Sequence, residues 1–294
     1  MPRHGTFESV TAMHPISELR RRGRRAVLAK LGAYVFDHKA IQQLLGFVKS
    51  KGHVIETFDH LEIEYEYASA IGRSLFFAGR FEQAEIEFFA RLIASAVAPI
   101  VLDVGANIGL HSLHWAVANP HAAVYAFEPC PATREILQRN VHRNSLQTSV
   151  TIVPHAVSSQ SGQAQFFACA DSAFSSLKDT HRERVIEIID VAVTTVDDFV
   201  ADAGLTRLFL IKIDVEGFEK EVILGAMNAL QRFRPDLFVE IYRGTHSNPD
   251  PEGTVQLLSA LGYRPYVFKD GTLFPYEGHV NSQYNYYFTS GPAA

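Results

Sequence analysis

Apolar residues change their spacing several times along this chain, and each change predicts a different element of secondary structure. Residues 16–48 predict a helix that is interrupted near Gly32. Over residues 53–77, β-branched and aromatic residues such as Ile63 and Tyr65 alternate with polar ones, which predicts a strand or a hairpin. Over residues 81–97 the apolar positions recur with helical spacing, and Ile86 and Phe89 share one stripe.

Beyond Pro99 short apolar runs alternate with helical segments. Strands are predicted at 100–104, 122–127, 150–157, 185–193, 208–213 and 237–241, and helices at 110–118, 132–144, 196–201, 219–231 and 255–261. A polar and less regular insertion occupies 158–184, and strands at 263–268 and 284–288 are expected to close the sheet as an antiparallel pair. This alternation is typical of an α/β fold with a mostly parallel sheet, an antiparallel C-terminal strand and helices on both faces.

Composition sets limits on the protein class. The 294 residues are 47% hydrophobic and 20% charged, as in ordinary globular proteins. We expect an N-terminal helical extension, partly flexible, at residues 1–52 and one domain at 53–294, with its core at about 80–290. The arginine-rich run at residues 20–25 is interpreted as a solvated arm. No segment reaches the roughly 18 apolar residues of a transmembrane helix.

Charge and cysteine content limit the binding partners, metal sites and cellular compartments to be expected. The formal net charge of -5 offers no general attraction to nucleic acid. Cys130 and Cys169 lack the spacing of a disulfide framework or a zinc site, which fits a cytoplasmic protein. The oligomeric state, a homodimer included, stays open.

The segment DVGANIG at residues 103–109 marks the point where a strand is predicted to give way to a helix. Glycines at 105 and 109 allow close approach of a ligand, and a helix N-terminus offers free N–H donors. A dinucleotide fingerprint would need glycines where Asn107 and Leu110 stand, and a phosphate-binding loop would need a Gly-Lys-Ser/Thr ending that is absent. The remaining pattern resembles the first motif of class I S-adenosylmethionine methyltransferases, in which Asp103 is expected to face the cationic end of the ligand.

Glu128 follows the next predicted strand, about 20 residues after the glycines. A carboxylate at this position can accept hydrogen bonds from both ribose hydroxyls of a nucleoside. Together, the turn and Glu128 predict a nucleoside-binding site.

A charged pair stands at the end of the strongly apolar strand at 208–213. Lys212 and Asp214 are predicted to share one face of the strand, at the end where open α/β sheets bind ligands, and Glu216 follows in the loop. A general base at Asp214, with its charge tuned by Lys212, is one interpretation, and a structural ion pair is the other.

Five motifs in order, DVGANIGLHS, FEP, HAVS, TTVDDF and IKIDVEGFE, closely resemble the FkbM family of methyltransferases over about residues 80–290. The resemblance implies a class I, Rossmann-like fold, S-adenosylmethionine as methyl donor and a hydroxyl acceptor on a sugar, a glycan or a secondary metabolite. We expect catalysis to involve Asp214, Lys212 and Glu216. The expected donor-binding residues are Asp103, Gly105, Ala106, Asn107, Gly109, His111, Ser112, Glu128, His155 and Ala156.

Other functions stay open at this stage. N-methylation of an amine would need a base less, and a nucleoside-binding module without catalysis would need none. Asp214, Glu216 and Glu240 could offer oxygen ligands to Mg²⁺, although no metal-ligand spacing favours a required metal.

Overall fold

A computed structural model describes residues 52–244, 250–280 and 284–291 of the chain. The helix predicted at 16–48 and the arginine-rich run lie outside these residues, so the domain boundary at residue 52 stays a prediction. The strands are β1 (His53–Phe58), β2 (Leu61–Glu66), β3 (Ile100–Val104), β4 (Ala123–Phe127), β5 (Val150–Val153), β6 (Ala156–Val157), β7 (Gly162–Cys169), β8 (Val185–Thr194), β9 (Leu210–Ile213), β10 (Asp236–Glu240), β11 (Arg264–Lys269), β12 (Thr272–Pro275) and β13 (Asn285–Thr289). The helices are α1 (Ala70–Ala78), α2 (Gln83–Ala94), α3 (Leu110–Ala118), α4 (Pro131–Arg143), α5 (Val196–Asp202), α6 (Glu219–Leu224), α7 (Met227–Phe233) and α8 (Pro251–Ala260).

The central sheet has the strand order β12-β11-β13-β10-β9-β3-β4-β5. Strands β5, β4, β3, β9 and β10 are parallel neighbours, whereas β13 runs antiparallel to β10 and to β11. The predicted α/β class with an antiparallel C-terminal strand is therefore confirmed. Strand β3 lies where the connections turn from one side of the sheet to the other, which is the position where such sheets bind ligands.

Helices cover both faces of this sheet because side chains of each buried strand alternate between two cores. Val101 packs with the β1–β2 hairpin and helices α1 to α4, whereas Leu102 and Val104 pack with α5 to α8. Lys212 and Asp103 are register partners on β9 and β3, so both point to the face of Val101. None of the helices within the described residues is long and apolar enough to cross a membrane.

Helix ends follow the local sequence. The Ser69 hydroxyl accepts a hydrogen bond from the Gly72 N–H at the start of α1, and Thr195 Oγ1 accepts one from the Asp198 N–H at the start of α5. Both are the short polar side chains favoured at helix N-termini.

Four predicted elements are wrong. The strand predicted at 150–157 is divided between β5 in the central sheet and β6 in a second sheet, because Pro154 lacks the N–H needed to continue a ladder. The insertion predicted as irregular contains β7, which pairs with β8 and β6 in a three-stranded sheet. The helix predicted at 219–231 is two helices, and the end of the predicted 53–77 hairpin is helix α1.

A fully buried amide joins the β1–β2 hairpin to helix α4 and to the loop that follows β3. Asn140 of α4 accepts a hydrogen bond from the Glu64 N–H at 2.7 Å, and its Nδ2 donates to Glu64 O at 2.9 Å and Ile108 O at 3.0 Å. Asn144, one turn later, makes the corresponding pair of bonds with Glu62 at the surface. The buried amide therefore joins the hairpin to the loop that carries DVGANIG.

We expect Asn140→Ala to lower the free energy of unfolding by about 3 kcal/mol, because buried backbone groups lose their partners. Asn144→Ala is the matched control: its partners are exposed to water, so the loss should be about 1 kcal/mol or less. Urea unfolding followed by circular dichroism measures both. Equal losses in the two variants would contradict the assignment.

Candidate functional site

A cavity of about 310 Å³ lies at the carboxyl ends of β3, β4, β9 and β10. Each of these strands is followed by, or ends in, a residue that lines the cavity. Ten of the residues chosen from the sequence line it: Gly105, Ala106, Asn107, His111, Glu128, His155, Ala156, Lys212, Asp214 and Glu216. The other three, Asp103, Gly109 and Ser112, do not.

The glycine turn is shaped by how closely two strand ends approach. Gly105 has a φ of 84°, and a Cβ there would lie 1.8 Å from the Asp214 carbonyl oxygen, so no side chain fits. Asn107 adopts a left-handed φ of 49°, and its Oδ1 accepts a hydrogen bond from the Ile108 N–H. The turn therefore presses β3 directly against the loop that carries Asp214.

Gly109 serves packing at this position. Its φ is 90° at the start of α3, and a Cβ would lie 2.4 Å from Leu137 Cδ1 of α4. Gly109 thus allows α3 and α4 to pack together without reaching the cavity.

Asp103 lies beneath the cavity and is fully buried. It accepts a hydrogen bond from Ser112 Oγ at 2.6 Å, and its Oδ1 lies 3.7 Å from Lys212 Nζ. The sequence suggested that this carboxylate faces a ligand, but it faces two side chains of the protein and lines no part of the cavity. The motif does not reveal this, because a strand's final carboxylate can turn outward or inward.

Lys212 connects this buried layer to the cavity. Its Nζ donates to Asp214 Oδ2 at 3.1 Å, while the Asp214 side chain keeps 26% of its surface exposed. Burial alone would lower the pKa of Lys212, but the Asp214 and Asp103 carboxylates outweigh it and hold the pKa above its ordinary value. Lys212 therefore stays protonated and orients Asp214 at the cavity wall.

Glu128 is buried and held by backbone donors. Its two oxygens accept hydrogen bonds from the N–H groups of Asn107 at 3.1 Å and Cys130 at 2.9 Å. Burial raises the pKa of Glu128 to about 7. Each oxygen keeps a further lone pair, so the carboxylate can still accept from hydroxyl donors in the cavity.

The segment at residues 170–184, between β7 and β8, covers the cavity and is called the cover below. Hydrogen bonds hold it on two sides. Asp171 Oδ2 accepts hydrogen bonds from the Ala70 N–H at 2.6 Å and from Arg73 at 3.2 Å. On the other side, the Ser176 hydroxyl lies 2.9 and 3.0 Å from the carbonyl oxygens of Val215 and Glu216. The insertion is therefore a wall of the site.

Arg182, in the same segment, forms an ion pair with Glu216, which has a left-handed φ of 54°. The guanidinium carbon of Arg182 also lies 4.8 Å from the ring centroid of Phe174 and 4.3 Å from that of Tyr242. Burial and the Asp214 charge raise the pKa of Glu216 to about 8, although Arg182 acts in the opposite direction. Glu216 is thus tied to the cover rather than free in a loop.

Glu82 is a cavity residue that the sequence did not reveal. It has a left-handed φ of 45° just before α2, and its Oε2 lies 2.8 Å from His111 Nε2. Burial and the Asp214 charge raise the pKa of Glu82 to about 7, whereas burial and Lys212 lower that of His111 to about 3. An acidic residue at a helix start is ordinary, so the sequence gave no signal for this role.

Glu240 ends β10 and also lines the cavity. Burial and the charges of Asp214 and Glu82 raise its pKa well above the ordinary value. Among the described residues, no group of three or more His, Cys, Asp or Glu side chains is arranged to hold a metal ion.

Known proteins resemble this chain both as a family and as individual relatives. The sequence profile of the methyltransferase FkbM domain matches residues 103–265. The hexuronic acid methyltransferase AglP of Haloferax volcanii is 32% identical over 162 residues, which are 54% of this chain and 61% of AglP. The 31-O-demethyl-FK506 methyltransferase FkbM of Streptomyces tacrolimicus is 28% identical in an alignment of length 163 that covers 44% of this chain and 60% of that protein.

This chain thus spans about three fifths of each of these two relatives. A crystal structure of methyltransferase FkbM from Methylobacillus flagellatus is 17% identical and superimposes with a TM-score of 0.44, covering 65% of this chain and 43% of that one. Since the profile match extends over more than half of the chain, this protein belongs to the methyltransferase FkbM domain family.

Proposed function

We propose that this protein transfers a methyl group from S-adenosylmethionine to a hydroxyl group of a sugar, a glycan or a secondary metabolite. The observation that carries the proposal is that one cavity contains both Glu128, behind the glycine turn, and Asp214, held by Lys212. The relatives support it, since AglP is named for a hexuronic acid and the Streptomyces protein for an O-demethyl compound.

The residues present fit a nucleoside donor. The Glu128 carboxylate retains acceptor capacity for two ribose hydroxyls, and the close approach at Gly105 leaves backbone beside the cavity. Asn107, His155 and Ala156 complete this wall. When bound, S-adenosylmethionine supplies a methyl group activated by a positively charged sulfur.

Asp214 is the proposed base for the acceptor. Its carboxylate is at the cavity wall and is oriented by Lys212, so it can accept a hydrogen bond from a hydroxyl. An alkyl hydroxyl is a very weak acid, so Asp214 would take the proton only as the new carbon–oxygen bond forms. Much of the rate would come from alignment, which the cover over the cavity assists by excluding water.

We expect S-adenosylhomocysteine to bind the wild-type protein in calorimetry, and Glu128→Ala to weaken binding by about 1 to 3 kcal/mol, the usual range for a hydrogen bond to a charged group. Glu135→Ala, on the exposed surface of α4, is the control. Absence of binding to folded wild-type protein would reject the proposed function. Unchanged affinity in Glu128→Ala would remove only Glu128 from the donor site.

The pH dependence offers a separate test of Glu128. Because its pKa is raised to about 7, the carboxyl is largely protonated at pH 6 and ionised at pH 8, and hydroxyl donors bind the ionised form better. We expect the affinity for 5′-methylthioadenosine, which has the ribose but no amino-acid group, to rise from pH 6 to pH 8. Glu128→Gln should remove this rise, and a rise that persists in this variant would assign it to another group.

For Asp214→Asn we expect donor binding to survive while turnover falls by about 10²-fold or more, the contribution of a general base. Labelled S-adenosylmethionine incubated with a cell extract measures methylated product, and calorimetry measures donor binding. Asp202→Asn, at the exposed end of α5, is the control. Full activity in Asp214→Asn would refute its role.

A further inference from the structure

The cavity contains more carboxyl groups than cations. Glu82, Glu128, Asp214, Glu216 and Glu240 line it, whereas Lys212 and Arg182 are the permanently charged cations among its lining residues. Lys212 is engaged by Asp214 and by the buried Asp103, and Arg182 by Glu216. Glu128 accepts hydrogen bonds from the backbone N–H groups of Asn107 and Cys130. Among the described residues, Glu82 and Glu240 are therefore the two lining carboxyls that have neither a cation nor a backbone donor.

These two carboxyls differ from solvated surface acids. Within the part of the chain that the structure describes, the Glu82 carboxyl has one hydrogen-bond partner, the imidazole of His111, and the lowered pKa of His111 keeps this imidazole neutral. The Glu240 side chain has no hydrogen bond or ion pair with any other described residue. Both line the cavity and feel the charge of Asp214, and the Glu82 charge also raises the pKa of Glu240, so both lie close to the end of the cavity where Asp214 stands. Ionising them there without a partner is unfavourable.

We propose that Glu82 and Glu240 form a binding subsite for a protonated amine. This inference rests on the proposed function and extends it, because it assigns a chemical class to the ligand group at this end of the cavity. An ammonium group brings the missing charge and three N–H donors, which suit separate carboxylates.

Other occupants fit less well. A hydroxyl group supplies donors but no charge. A divalent metal prefers several oxygen ligands around one point, and the described residues contain no group arranged in that way. Tyr284 also lines the cavity, and an aromatic ring next to a carboxylate favours an organic cation.

The amine could come from either substrate. S-adenosylmethionine carries an ammonium on its amino-acid end, and Asp103, the carboxylate that the sequence suggested for it, is occupied beneath the cavity. The acceptor is the second source, as in an amino sugar. Both sources share the same chemistry, and ligand binding can separate them.

The experiment compares three ligands by calorimetry at pH 8: S-adenosylhomocysteine, its decarboxylated analogue, which keeps the amine, and 5′-methylthioadenosine, which has neither charged group. If the subsite holds the donor's amine, Glu82→Gln and Glu240→Gln each weaken the binding of the decarboxylated analogue by about tenfold or more. Binding of 5′-methylthioadenosine stays unchanged. Glu135→Gln is the matched control, and Glu82→Asp and Glu240→Asp keep the charge and should recover part of the affinity.

If the amine belongs to the acceptor, the Glu82→Gln and Glu240→Gln variants bind all three of these ligands with unchanged affinity. Glucosamine then binds the protein loaded with S-adenosylhomocysteine more tightly than glucose does, and Glu240→Gln removes the difference. If neither variant changes binding in either series of ligands, the proposed subsite is wrong. Mg²⁺ binding that disappears in Glu240→Gln overturns it in favour of a metal.

Failure of this proposal is distinguishable from failure of the proposed function. Wild-type protein that binds S-adenosylhomocysteine while the variants behave as wild type contradicts only the subsite. Wild-type protein that does not bind it contradicts the methyltransferase proposal itself. Thermal unfolding of each variant confirms that it is folded, and Glu82 makes no side-chain capping bond that its replacement would remove.

Discussion

The buried ammonium of Lys212 is the interaction on which the site depends. It stands between Asp103, beneath the cavity, and Asp214, at its wall, and its side chain is only 4% exposed. Removing such a charge from water costs several kcal/mol, which only close carboxylates offset. Because Asp103 and Lys212 are register partners on adjacent parallel strands, the sheet itself fixes their separation. The position of Asp214 therefore follows from strand pairing rather than from a flexible loop.

The backbone around this charged layer is held in conformations that non-glycine residues adopt at a cost. Glu82, Asn107 and Glu216 all have left-handed φ values, and all three line the cavity. Such conformations persist where surrounding contacts determine them, and they concentrate at functional sites. Here the contacts are specific: the Ser176 hydroxyl reaches the carbonyl of Glu216, and His111 contacts the carboxyl of Glu82. The cover thus holds the strained turn that follows Asp214.

Much of this fold is predictable from the sequence, because strongly apolar strands and amphipathic helices carry their own periodicity. Strand β3 and helix α3 have the predicted bounds, and the glycine turn between them lies where expected. In the small sheet, β8 has almost the predicted bounds, but β7 is not predictable in this way, since its first half is largely exposed and it mixes polar with apolar residues. The division between β5 and β6 also depends on which sheet offers a partner, and this is a tertiary property.

The site is predictable at the level of strand ends but not of side-chain direction. The sequence placed Glu128, Lys212 and Asp214 at the carboxyl edge, since parallel strands share one end. The inward turn of Asp103 depends on Ser112 and Lys212, which lie 9 and 109 residues further along the chain, and no local pattern records it. Glu82 likewise enters the cavity only because α2 packs beside α3.

An excess of carboxyl groups in this cavity has a thermodynamic consequence for the domain. Carboxyls without cations either stay protonated or repel each other, and both states leave the empty site less favourable than the rest of the core. A ligand that brings positive charge allows these groups to ionise against a partner, and any ligand bound only by the folded state stabilises that state. Since the same strand ends carry the cavity and the buried Lys212 layer, such stabilisation reaches the central sheet directly. An ammonium bound at the proposed subsite would therefore couple the stability of this fold to occupation of its site through the carboxyls of Glu82 and Glu240, while Asp214 keeps its own partner in Lys212.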